Sequence, residues 1–134
     1  MSDPSYLLQA AIVPRLKQAP ALAALVGGGV YDEVPAGAPF PYVTVGGGQV
    51  IGDDIDCADI SEVFFQIHAW ARPPSARAIV KKIAGAVCDA MKAPITLTGF
   101  DVQIQDYQQT QWLDDPDGLT QHAMVEFRFI IVNA

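Results

Sequence analysis

Cations are scarce in this chain. Its 134 residues include eight Lys or Arg against fifteen Asp or Glu, for a net charge of −7. A protein that grips nucleic acid regardless of sequence needs cations to replace phosphate counterions, so this balance argues against that class. An acidic lining remains compatible with a passage through which DNA moves without sticking, because like charge repels the backbone. Cysteine is scarce too. Cys57 and Cys88 lie far apart and read as free thiols rather than a disulfide framework. Together with the two histidines, His68 and His122, they are too few and too scattered for a zinc site. No metal or other cofactor is expected. No apolar run approaches about 20 residues, so no membrane-spanning helix is expected. The start, Met1-Ser2-Asp3-Pro4, lacks a basic segment followed by an apolar stretch, so no signal peptide is expected.

Catalytic signatures are also missing. There is no G-x-S-x-G elbow and no phosphate-binding loop; the triplets Gly27-Gly28-Gly29 and Gly46-Gly47-Gly48 lack the following Lys and hydroxyl residue. They read as turns and bulges. Neither His68 nor His122 has a Ser, Cys or carboxylate nearby in the sequence arrangement of a triad. Both read as sheet-face residues, and no catalytic residue is assigned. A small enzymatic or ligand-binding domain would need these histidines and the aspartates to converge in one pocket.

What the chain does have is apolar patterning. A hydrophobic fraction of 51% with 17% charged residues describes a globular chain, read as a single domain over residues 1–134. Asp3 and Pro4 read as an N-cap and first helical position, with Leu7, Leu8, Ala11, Ile12 and Leu16 at helical spacing. Pro14 is expected to kink that helix or end its first half. A short helical piece over residues 21–26 runs into the first glycine triplet. Strands follow over 30–34 and 41–45, the latter interrupted by the second triplet before Val50-Ile51. Residues 61–72 alternate cleanly, with Val63, Phe65, Ile67, Ala69 and Ala71 on one face. After Pro73-Pro74-Ser75, a helix to about residue 92 carries the stripe Ala76, Ile79, Val80, Ile83, Val87, Ala90. Strands over 100–113 and 119–132 close the chain, joined by the turn-like Asp114-Asp115-Pro116-Asp117-Gly118. This order predicts an α+β fold, a mainly antiparallel sheet with two principal helices packed on one face.

The candidate functional residues are contact residues. Phe64, Trp70 and Arg72 fall opposite the apolar face of their strand, where large side chains suggest a partner surface. Trp112 stands near the end of the glutamine-rich strand, whose Gln103, Gln105, Gln108, Gln109 and Gln111 could pair across a subunit contact without burying charge. Asp53, Asp54, Asp56 and Asp59 make an acidic loop that lacks the glycine and terminal glutamate of an EF-hand. It reads as a solvated loop able to order against a partner. Asp114, Asp115 and Asp117 make a second one.

Several short segments carry a resemblance. They are Leu8-Gln9-Ala10-Ala11 with Leu16-Lys17, Val30-Tyr31-Asp32-Glu33-Val34-Pro35, Pro39-Phe40-Pro41-Tyr42-Val43-Thr44-Val45 and His68-Ala69-Trp70-Ala71-Arg72. The last is Asp114, Pro116-Asp117-Gly118-Leu119-Thr120, followed by Phe127-Arg128. In order and spacing they resemble the small tail-terminator, or tail completion, proteins of long-tailed phages and gene transfer agents, over nearly the whole chain. Pro14 and the glycine triplets depart from that pattern. The resemblance implies a non-catalytic subunit of a six-fold ring, assembled in the bacterial cytoplasm. The ring would cap the head-proximal end of the virion tail tube, stop its polymerisation and join the head connector. Its partners would be its own copies, the tube protein and the connector, with DNA passing through the lumen unbound. A connector, stopper or tube ring protein of the same particle is the alternative. Both acidic loops are expected to reach the neighbouring rings.

Overall fold

The computed structural model describes residues 3–53 and 59–134, the Asp53 side chain aside. Helix α1 (Ser5–Lys17) leads into α2 (Pro20–Val26), then β1 (Val30–Tyr31), β2 (Tyr42–Asp53) and β3 (Ile60–Ala71). Helix α3 (Ala76–Ala90) follows, and then β4 (Phe100–Asp114) and β5 (Gln121–Asn133). The strands form one sheet in the order β1-β2-β3-β5-β4, antiparallel except for the short β1–β2 pair. The α+β reading holds, with α2 as a third, seven-residue helix.

One face of the sheet meets the helices. Val63, Phe65, Ile67, Ala69 and Ala71 of β3 are buried, as are Ala123, Val125, Phe127, Phe129 and Ile131 of β5. They form one cluster with Leu8, Ile12 and Leu16 of α1 and with Val80, Ile83 and Val87 of α3. Period-2 alternation on the strands and the 3.6-residue stripe on the helices thus close on one core. Burial at roughly 25 cal/mol per Å² of apolar surface is its main support.

Pro14 does not end α1, which runs on to Lys17. Pro14 and the Ala10 whose carbonyl it leaves without a helical donor are both exposed, so water can serve that carbonyl. At the start, Pro4 rather than Asp3 is the N-cap residue, and the Asp3 carboxylate before it accepts a hydrogen bond from the N–H of Ser5, the first helical residue, at 2.8 Å. Arg15 spans to the end of α3, donating to the carbonyls of Ala90 (3.2 Å), Ala93 (2.7 Å) and Pro94 (3.0 Å). A guanidinium there serves orphan carbonyls and suits the negative end of the helix dipole.

The second glycine triplet is a bulge inside one continuous strand. The β2–β3 register shifts between Val45 and Gly48. Gly48 has φ 110°, and a Cβ on it would lie 1.8 Å from the Phe64 carbonyl oxygen, so only glycine fits. Gln9 of α1 donates to the Val45 carbonyl at 2.8 Å and pins the helix beside the bulge.

Candidate interaction surface

The sheet face away from the helices is a tiled polar and aromatic layer. Strand pairing sets Phe64 opposite Arg128, Gln66 opposite Glu126, His68 opposite Met124 and Trp70 opposite His122. Arg128 Nε donates to Glu62 Oε2 at 2.6 Å. Glu126 accepts from Gln66 (3.2 Å) and, from the edge strand, Gln109 (3.1 Å). His68 Nδ1 and His122 Nε2 are 2.6 Å apart, and the Trp70 ring stacks on His122 with centroids at 3.8 Å and planes 7° apart. Trp70 Nε1 donates to Thr44 Oγ1 at 3.1 Å. Phe64 and Trp70 are therefore half-buried members of the layer rather than projecting anchors.

Two histidines in contact cannot both ionise cheaply. Partial burial, then the charge of His68, pushes His122 down to about 4, with Asp115 pulling the other way. Burial lowers His68 as well. Near neutral pH the pair is uncharged, one ring nitrogen donating and the other accepting. Cys88, on α3, lies beyond the sheet from them. Among the described residues no group of three or more His, Cys, Asp or Glu is placed to hold a metal ion.

Charge is segregated across the sheet. Among the described residues, the open face carries the carboxylates Glu62, Asp101, Asp106 and Glu126 with the cation Arg128, and Arg72 follows on the same side at the end of β3. The helices and their ends carry Arg15, Lys17, Arg77, Lys81, Lys82 and Lys92.

At one end of the sheet Arg72 and Asp117 meet. Arg72 Nε donates to Thr120 Oγ1 at 3.2 Å, its terminal nitrogen lies 3.7 Å from Asp117, and its guanidinium covers the Phe40 ring at 4.4 Å. Asp117 organises the β4–β5 loop, accepting from the Thr120 hydroxyl (2.6 Å) and from the Leu119 and Thr120 amides (2.8 Å each). These hydrogen bonds, the Thr120 hydroxyl first, hold its carboxyl at about 2. Asp115 accepts from the Asp117 amide at 3.3 Å, and Asp114 reaches Arg77 (3.4 Å) and Gln121 (2.8 Å). Asp59 stands at the opposite end, its carbonyl accepting from the Asn133 amide at 3.0 Å. Asp53 closes β2 at that same end. Asp54 and Asp56 lie outside the described residues. Asp59 is thus separated from the β4–β5 loop by the length of β3, about 35–40 Å at strand rise.

Trp112, near the end of β4, pairs with Ala123 and lies on the helix side of the sheet, the face opposite Trp70. This strand shifts register between Val102 and Ile104 and again between Tyr107 and Gln109. Strand β4 is an edge strand, and Trp112 (59% exposed) and Tyr107 (52%) flank a groove between it and α3. Lys81 Nζ sits 4.6 Å from the Trp112 ring centre. The glutamines divide as well. Gln105 ties the α3–β4 connection through Met91, Ala93 and Ile95, whereas Gln103, Gln108, Gln109 and Gln111 are exposed along the edge.

The chain is a small α+β fold with a tiled polar sheet face and an open sheet edge at β4. Residues 10–132 match the family of the Tail completion protein gp17, and the chain belongs to that family. Its class is structural rather than enzymatic. The chain is similar to the Tail completion protein gp17 of Bacillus phage SPP1, 26% identical over 96 residues, 71% of this chain and 70% of the phage protein. Its fold matches a chain in the virion of a native gene transfer agent particle with TM-score 0.89 and 26% identity, over 99% of this chain and 100% of that one. The structure of the SPP1 gp17 protein shares the fold with TM-score 0.61 at 23% identity, over 93% and 88% of the two chains.

Proposed function

We propose that this chain forms a ring, six copies around, that caps the head-proximal end of a tail tube, ends its polymerisation and presents a surface to the head connector. The observation that carries this reading is the end-to-end correspondence with a chain of an assembled gene transfer agent virion. Arrest of a growing tube needs no chemistry. A head-to-tail stack stays open until a different subunit occupies its last interface.

Three features of the molecule support the arrangement. Asp59 and the 114–118 loop stand at opposite ends of the sheet, as a ring joining one structure above to another below requires. The open face, where Glu62, Asp101, Asp106 and Glu126 outnumber Arg128 and Arg72 among the described residues, suits a lumen that DNA crosses without adhering. The exposed β4 edge and its glutamines offer hydrogen-bonding groups to a neighbouring subunit. Phe64, Trp70, Arg72 and Trp112, together with Asp53, Asp54, Asp56, Asp59, Asp114, Asp115 and Asp117, are the proposed contact set.

The test is deletion of the gene in the particle-producing cell, with tail lengths measured by electron microscopy. Overlong, headless tubes are expected. Tails of normal length that fail to attach would move the protein to the connector. Normal complete particles would reject a virion role.

A further inference from the structure

We propose that the groove between α3 and β4 is the socket of a head-to-tail contact between copies, and that it receives the segment Asp32-Glu33-Val34 of the next copy. This rests on the ring reading and specifies its interface.

The socket is lined by Lys81, Ala84 and Gly85 of α3 and by Tyr107, Thr110 and Trp112 of β4. Small residues on the helix leave room between two exposed aromatic rings. Its rim carries the exposed cations Arg77 and Lys81 in a chain of net charge −7, with Asp114, which pairs with Arg77, as the carboxylate among the rim residues. No acidic residue occupies the first turn of α3, where the helix dipole would favour one. A cationic rim in an acidic protein selects an acidic partner.

The opposite edge of the sheet supplies one. Asp32 and Glu33 are exposed directly after β1, and Val34 follows at 38% exposure. This segment places two carboxylates and one apolar side chain where the socket offers Lys81, Arg77 and the Trp112 indole. The levels also agree. Strand register aligns Trp112 with Ala123, Ala123 with Ala69, Ala69 with Val43 and Val43 with Val30. One row of the sheet therefore runs from the socket to the start of the acidic segment. A closed ring adds no rise between neighbours, so with strands along the ring axis the two ends of a row meet. The contact is heterologous, since socket and segment are different surfaces.

The test is a charge exchange in the assembling particle. Lys81→Glu with Arg77→Glu, and separately Asp32→Lys with Glu33→Lys, should each lower the yield of complete particles about tenfold or more. The four changes together should restore most of it. All four side chains are exposed, so wild-type melting temperatures are expected and are checked for each variant. Neutral versions, Lys81→Gln with Arg77→Gln and Asp32→Asn with Glu33→Gln, give a second cycle in which changing both sides should cost no more than changing one. Unchanged yields, or losses without recovery in combination, would overturn the pairing. Formaldehyde cross-linking of wild-type particles separates the two levels. Multimers of the chain without charge rescue reject only this contact, whereas no multimers at all reject the ring.

Discussion

His68 Nδ1 and His122 Nε2, on adjacent strands, lie 2.6 Å apart with the Trp70 ring stacked on His122. The folded protein therefore resists a proton that the unfolded chain accepts readily. His122 falls from the model-peptide value of 6.5 to about 4 on folding. A depressed folded value means full stability above the unfolded value, and stability lost as pH falls towards the folded one. The melting temperature should thus decline between pH 6.5 and pH 4. His122→Gln should flatten that slope. Melting curves across this range, on both proteins, check it.

Gly48→Ala should cost about 2 kcal/mol or more, because the new Cβ meets a backbone carbonyl at a positive φ. Gly85→Ala should instead stabilise by about 0.5–1 kcal/mol, since it adds a better helix former in α3. Nothing lies within 4 Å of that Cβ. Denaturant titration of the two variants should give opposite signs.

Arg15→Ala should cost about 1–3 kcal/mol, from loss of hydrogen bonds given by a charged donor to the end of α3. The damage should be local. Hydrogen exchange at the last turn of α3 and through residues 91–95 should quicken before that of β3.

Within the β4–β5 loop the carboxylates should behave differently. Asp117→Ala removes acceptors for two backbone amides and a hydroxyl, so the Leu119 and Thr120 amides should lose exchange protection. Asp114→Ala removes an exposed pair with Arg77, which should change stability by no more than about 0.5 kcal/mol. A particle defect in Asp114→Ala with unchanged melting would then report a contact rather than a fold.

The inner faces of β3 and β5 and the stripe of α3 were legible because each follows a single period. What escaped the sequence depends on register. His68 and His122 are 54 residues apart, and only the β3–β5 pairing sets them side by side. Gln103 and Gln108 are absorbed as extra residues in β4 and each shifts the alternation by one, so the stretch between them, with Tyr107 on the helix side, departs from the single period. Pro14 is tolerated because it and Ala10 face solvent, a matter of which side of α1 the core takes. Asp117 looked like a free acidic contact and is the keystone of its own loop, since only coordinates reveal which amides a carboxylate meets.

Averaged cryo-electron microscopy of the head–tail joint in intact particles tests the central claim most directly. Six copies in one ring at the head-proximal end of the tube are expected, helices outward and the open sheet face towards the lumen. Copies distributed along the tube, or none at the joint, would contradict the account.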